Sequence, residues 1–181
     1  IELELTLQAE PREVDTLYFG GGTPTFLPLD KLQHLAHTVL SAFPLVTNYE
    51  WTVEANPADV DEAMADALAE MGVTRLSLGG QSFREEKLRL LERDHQAADI
   101  ARVVELARQR GLRIALDLIF ATPGETLDNW QDDLNAALAL QPDYPEALNN
   151  RATSLRALGR NAEALASCDA ALRLRPEFTD T

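Results

Sequence analysis

Cysteine is almost absent from this 181-residue chain: Cys168 is the only one. No disulfide can form within the chain, and it cannot supply several thiolates to one metal centre. Long apolar runs are missing too. No stretch approaches the ~20 residues of a membrane-spanning helix, and no signal-peptide pattern stands before the first periodic segment. A soluble, cytoplasmic protein with no membrane partner is expected. Basic residues are scarce, with 16 Lys and Arg against 30 Asp and Glu and a net charge of −14. That balance argues against a nucleic-acid backbone or an anionic surface as partner. The deficit is local: residues 1–143 carry 11 basic and 25 acidic side chains, residues 144–181 five of each. The chain opens in mid-pattern without a methionine, and it reads as a piece of something longer.

What is present is enough apolar sequence, 45% of the chain, for one ordinary core with a small appendage. "IELELTLQAE" reads as the tail of an amphipathic helix. "DTLYF" then predicts a buried strand that runs into Gly20, Gly21 and Gly22. Leu29 to Ala42 has helical apolar spacing, with Asp30 in the first turn. "YEWTVEANP" is a strand stopped by Asn56-Pro57, and Asp61 to Met71 is a helix closed by Gly72. "TRLSLGGQSF" is a further strand, followed by helices over Arg84–Leu91 and Ala97–Arg110, the second stopped by Gly111. "LRIALDLIFATPGE" is a strand ending in a Pro-Gly turn, and Leu127 to Leu140 is a helix. Strand and helix thus alternate four times with short connections. An α/β fold with a parallel sheet is expected, either a (β/α) barrel or a doubly wound sheet. The unusual residues recur at one place in each unit: Gly20 to Thr23, Glu54 to Asn56, Gly79 to Gln81, and Asp117 with Pro123-Gly124. Each lies at the C-terminal part of a strand, where such folds build their sites.

After Asp143 the rhythm changes. Residues 145–176 read as two helices around "LGRN", with Ala152, Gly159, Ala164, Ala171 and Pro176 at the positions of the ~34-residue tetratricopeptide pattern. Cys168 and Leu148 replace its usual aromatics. The division expected is 1–143 for an α/β domain and 144–181 for one helical hairpin, with a seam near Asp143 to Pro145. One such hairpin cannot bury its own face, so a docking partner is expected, and a protein partner is one reading of it.

"YFGGGTPTFL", "EWTVEANP", "GVTRLSLGGQSF", "LLERDH" and "LDLIFATPGET", in that order, resemble the radical S-adenosylmethionine (SAM) proteins. More narrowly, they are similar to oxygen-independent coproporphyrinogen III oxidase and its haem-chaperone-like relatives. The resemblance covers nearly four-fifths of the chain. It implies an incomplete parallel (β/α) barrel of the radical SAM type, SAM as cofactor, a [4Fe–4S] cluster in the parent family, and a porphyrinogen or haem as small-molecule partner. It also implies site residues: Gly21, Gly22 and Thr23 beside the methionine part of SAM, Glu54 as an acceptor, and Gln81, Arg93 and Asp117 as further SAM contacts. Arg93 suits a carboxylate, which its planar fork can bind through both oxygens.

Each residue also has a plainer reading. The glycines could form only a tight turn, and Glu54 could serve only the turn before Pro57. Gln81 could cap the next helix, Asp117 could be a satisfied buried carboxylate, and Arg93 could form a surface ion pair. His34 and His37 lie one helical turn apart with no third ligand and suit a solvated face, while Cys168 suits a small core position. The resemblance places the Cys-x3-Cys-x2-Cys loop of the family ahead of "TLYFGGGTP", and no such loop is in this chain. The chain is therefore expected to keep SAM-contacting motifs and to perform no radical chemistry alone. A tetratricopeptide binding module on a barrel scaffold, and a haem-binding relative without oxidase activity, are the alternative readings. The sequence also departs from the family at Gly80, where valine is usual, and at Ala121-Thr122, where Gly-Leu is usual.

Overall fold

The computed structural model describes residues 11–177. The helix expected over the first ten residues lies outside them. The described residues form four strands, β1 (Val14–Phe19), β2 (Leu45–Ala55), β3 (Arg75–Gln81) and β4 (Arg113–Leu118). Seven α-helices lie among them: α1 (Leu29–Ala42), α2 (Glu62–Met71), α3 (Glu85–Leu90), α4 (Ala97–Gln109), α5 (Leu127–Leu140), α6 (Pro145–Ala157) and α7 (Asn161–Leu174). The sheet order is β1-β2-β3-β4, and the β1–β2 and β2–β3 pairs are parallel. The order advances in one direction, without the reversal that marks a doubly wound sheet.

The chain divides into two compact units, Ile1–Gly80 with Ala98–Asp117, and Gln81–Ala97 with Leu118–Thr181. In the first, period-two alternation sorts the strands into two faces. Trp51, Val53, Ala55, Leu76, Leu78 and Leu116 are buried on one face. Helices α1, α2 and α4 contribute the matching stripe, which includes Leu32, Leu68, Ile100 and Val103. Phe19 meets Trp51 edge-on, with ring centroids 5.3 Å apart. Gly80 belongs to this face: a β-carbon there would lie 2.7 Å from Leu116 Cδ1 and 3.2 Å from Ile100 Cδ1. The residue that departs from the family pattern is thus matched by neighbours that fill its space.

The other face is polar. Near the N-terminal ends of its strands, Glu50 takes the Arg75 guanidinium at 3.1 Å and that of Arg113 at 2.9 Å. The strand expected from Tyr49 begins earlier, at Leu45. The added residues include an irregularity in which Val14 pairs with Leu45 but Thr16 pairs with Glu50. Asn48 sits within it at φ 67°, an insertion that local sequence polarity conceals.

In the second unit, Thr126 and Asn129 form a reciprocal capping box at the start of α5. Helices α6 and α7 bury Ala152, Ser154 and Leu155 against Ala164, Ser167 and Ala171. Gly159, at φ +75°, turns the chain between them. Cys168 is only partly buried. The small packing positions fall on its helical neighbours Ala164, Ser167 and Ala171 instead.

Helix α2 shows how strictly an end can be specified. Asp61 accepts the Met64 amide at its start, and Gly72 ends it at φ +93°. A β-carbon on Gly72 would lie 2.9 Å from the Tyr49 hydroxyl, which itself donates to the Gly72 carbonyl at 2.8 Å. Gly72→Ala is therefore expected to lower stability by about 1–2 kcal/mol. Urea unfolding should show this as a lower midpoint with an unchanged slope. An unchanged midpoint would mean that this cap contributes nothing.

Candidate functional site

β1 ends at Phe19 and the chain turns at once through Gly20, Gly21 and Gly22. The three glycines have different physical reasons. A β-carbon at Gly20 would lie 2.5 Å from Tyr18 Cε1 and 2.7 Å from Glu54 Cδ, so the neighbouring side chains exclude it. Gly21 adopts φ +86°, which favours glycine whatever space is free. Gly22 has neither constraint, and a β-carbon there would enter open space. Its bare backbone answers no demand of the chain itself. The glycines and Thr23 line a cleft of about 480 Å³ together with apolar Leu17, Leu35 and Phe43.

Glu54, the residue before the strand terminus Ala55, organises this turn. Its Oε1 accepts the Tyr18 hydroxyl at 2.6 Å, and its Oε2 accepts the Gly21 amide at 3.2 Å. Buried Thr25 accepts the Asn56 amide through Oγ1 at 3.3 Å, a second tie from the loop to the end of β2. Asp117, on β4, is exposed rather than a buried carboxylate, and its Oδ2 accepts the Ser77 hydroxyl at 3.0 Å. The hydrogen bond to Glu54 raises the Tyr18 phenol above its usual value, with smaller upward contributions from burial and the Glu54 and Asp117 charges.

The first unit thus brings Gly21 and Glu54 into contact, with Gly22 and Thr23 following in the same turn. Asp117 lies at the C-terminal end of a strand of the same sheet. Gln81 and Arg93 belong to the second unit. Gln81 is the last residue of β3, at φ 61°, and its carbonyl accepts the Ile119 amide at 2.9 Å. It does not cap α3. The cap position is Arg84, whose amide donates to Ser82 Oγ at 3.0 Å. Arg93 is half-buried just beyond α3, and its amide bonds the Leu88 carbonyl at 2.9 Å. His34 and His37 lie on the exposed side of α1.

Two functional candidates escaped the sequence reading, Tyr18 and Ser77. Their signal was parity: each alternates with apolar neighbours and falls on the sheet face of Glu54 and Asp117. Among the described residues no group of three or more His, Cys, Asp or Glu could hold a metal ion. With one cysteine in the chain, these residues do not fit a four-iron cluster.

A parallel α/β sheet with glycine, hydroxyl and carboxylate groups at its strand ends defines an α/β protein whose unusual residues lie where this class builds its sites. Residues 1–137 match the model of the Radical SAM superfamily, and the chain belongs to that superfamily. It is 37% identical over 128 residues to the oxygen-independent coproporphyrinogen III oxidase of Paracoccus denitrificans, covering 70% of this chain and 28% of that protein. It is 39% identical over 137 residues to the haem chaperone HemW of Escherichia coli, covering 75% of this chain and 36% of that one. Among solved structures, coproporphyrinogen III oxidase (HemN) from Escherichia coli, a radical SAM enzyme, superposes with a TM-score of 0.74 at 25% identity, over 95% of this chain and 44% of that one. The chain therefore spans about a third of the length of the two relatives it matches in sequence. Proteins of this superfamily use SAM with a [4Fe–4S] cluster. Among the described residues, no helix is long and apolar enough to cross a membrane.

The Tyr18–Glu54 bond yields a titration with a defined sign. A phenol raised in the folded state contributes stability that is present below its unfolded value of about 10 and lost as pH rises through the folded value. In an ultraviolet titration, the phase removed by Tyr18→Phe should lie above the usual phenol value. In Glu54→Gln it should move down towards 10. A titration that Glu54→Gln leaves unchanged would show that the carboxylate does not hold the phenol.

Proposed function

We propose that the glycine turn and the adjoining strand ends form the SAM-binding part of a radical SAM protein of the coproporphyrinogen oxidase and haem-chaperone subgroup. One observation carries the reading. Gly21 and Gly22 leave open the space that side chains would fill, beside a carboxylate already fixed by two donors. In this reading the backbone of Gly21 to Thr23 approaches the methionine end of SAM, and the exposed carbonyls accept from its ammonium. Glu54 accepts from a ribose hydroxyl or an amino group through its remaining lone pairs. Asp117 adds a second acceptor, Gln81 a neutral amide contact, and Arg93 a fork for the carboxylate. The acidic balance of the chain favours this ligand, whose sulfonium and ammonium are both cationic.

When bound, SAM would supply a sulfonium whose carbon–sulfur bond is open to reductive cleavage. This chain's residues bind and orient SAM but do not hold the cluster, so the chain alone is proposed to have no radical activity. A tetrapyrrole, either porphyrinogen or haem, is proposed as the partner of the whole protein, on the strength of what its relatives are named for. The hairpin of α6 and α7 is proposed to be a tetratricopeptide-type unit within 144–181, with residues 1–143 as the incomplete barrel. Leu165 and Leu172, exposed on α7, favour a protein contact there.

Calorimetric titration with SAM tests the site. The parent chain should bind, and Glu54→Ala combined with Gly22→Val should weaken binding at least about tenfold, or ~1.4 kcal/mol. Identical isotherms for the parent and the double variant would remove the assignment.

A further inference from the structure

The second unit contains a charge cluster that plays no direct part in this ligand reading. The Lys87 ammonium is almost fully buried and donates to Glu125 Oε1 and, at 3.1 Å, to Asp133 Oδ2. It lies 5.4 Å from the centroid of the Trp130 ring. Asp133, 0% exposed, also accepts the Ser82 hydroxyl at 2.8 Å and the Phe83 amide at 2.7 Å. Glu125 accepts the Thr122 amide through its second oxygen at 3.0 Å. Burial pushes the Glu125 carboxyl up, but Lys87 and the amides of Thr122 and Ala121 together hold it below the usual carboxylate range.

A buried cluster of this kind is weak evidence for stability, because desolvation offsets much of its attraction. Its connections are more informative. Asp133 holds Ser82 and Phe83, the two residues after Gln81. Glu125 holds Thr122 and Ala121. Gln81, at φ 61°, and Ala121, at φ 63°, are both non-glycine residues in the left-handed region. That region disfavours a residue carrying a β-carbon, and it persists where surrounding contacts over-determine it. Lys87 bonds both carboxylates, so it joins the two strained turns.

We propose that Lys87, Glu125 and Asp133 form a positioning cluster that holds the Gln81 and Ala121 turns in their left-handed conformations and so fixes Gln81 for the ligand. The last clause rests on Gln81 being a SAM contact, as proposed above. The first stands on geometry alone.

A double-mutant cycle between Lys87→Met and Ala121→Gly on the full chain separates positioning from general stabilisation. Glycine relieves left-handed strain only where the strain is enforced. With the cluster intact, Ala121→Gly should raise the folding equilibrium constant a few-fold by urea unfolding. In the Lys87→Met background that gain should disappear, giving a coupling of about threefold or more. Equal gains in both backgrounds would overturn the proposal. If Lys87→Met does not fold, the milder Glu125→Gln, which keeps the acceptor for Thr122, replaces it in the same cycle with the same two outcomes.

Calorimetry then reads the ligand clause. Weaker SAM binding in Lys87→Met than in the parent supports it, and equal binding overturns it. A parent that binds no SAM, together with a coupled cycle, would remove the SAM reading and leave the positioning role standing.

Discussion

The architecture of the glycine turn depends on one carboxylate with both oxygens committed. Glu54 receives the Tyr18 hydroxyl on one side and the Gly21 amide on the other. It thereby joins the last turn of β1 to the end of β2. That placement leaves no room for a β-carbon at Gly20, and it fixes an amide that a left-handed residue presents. The turn is consequently determined from outside its own sequence. Its third glycine, Gly22, meets neither a neighbour that excludes a β-carbon nor a left-handed backbone.

The second unit applies the same physical device under deeper burial. Asp133 and Glu125 each gather hydroxyl or amide donors from a turn, as Glu54 does, but one shared ammonium links them. Hydrogen bonds from backbone amides to a carboxylate are short and directional, so they fix turns more tightly than apolar contact does. In both units acidic side chains inside the fold set the conformation of segments that follow strand ends. The acidic balance of residues 1–143 therefore includes structural carboxylates as well as solvated ones.

Much of the fold was legible because it is periodic. Leu29 to Ala42 and Leu127 to Leu140 were expected from apolar spacing and form helices with those limits. The concentration of unusual residues at strand C-termini was equally visible, since the strands ended at glycines or Asn-Pro. What the pattern hid was pairing across distance. Tyr18 and Glu54 are 36 residues apart, and Lys87 and Asp133 46. Nothing local marks either pair. The plainer alternative for Gln81, a cap for the next helix, is not formed: Ser82 meets the Arg84 amide while Gln81 lies in a left-handed turn. The strand expected from Tyr49 also takes in Leu45 to Asn48, because an irregular pairing with β1 absorbs them. The small core position expected at Cys168 falls instead, by helical phase, on Ser167 and Ala171.

The central claim is that the turn held by Glu54 is a ligand cradle rather than a structural turn alone. Amide NMR of the full chain titrated with SAM tests it most directly. The account predicts saturable shifts concentrated at the amides of Gly21, Gly22 and Thr23, lost in Glu54→Ala while the remaining spectrum stays folded. Saturable shifts that spare those three amides, or no shifts at any SAM concentration, would contradict it.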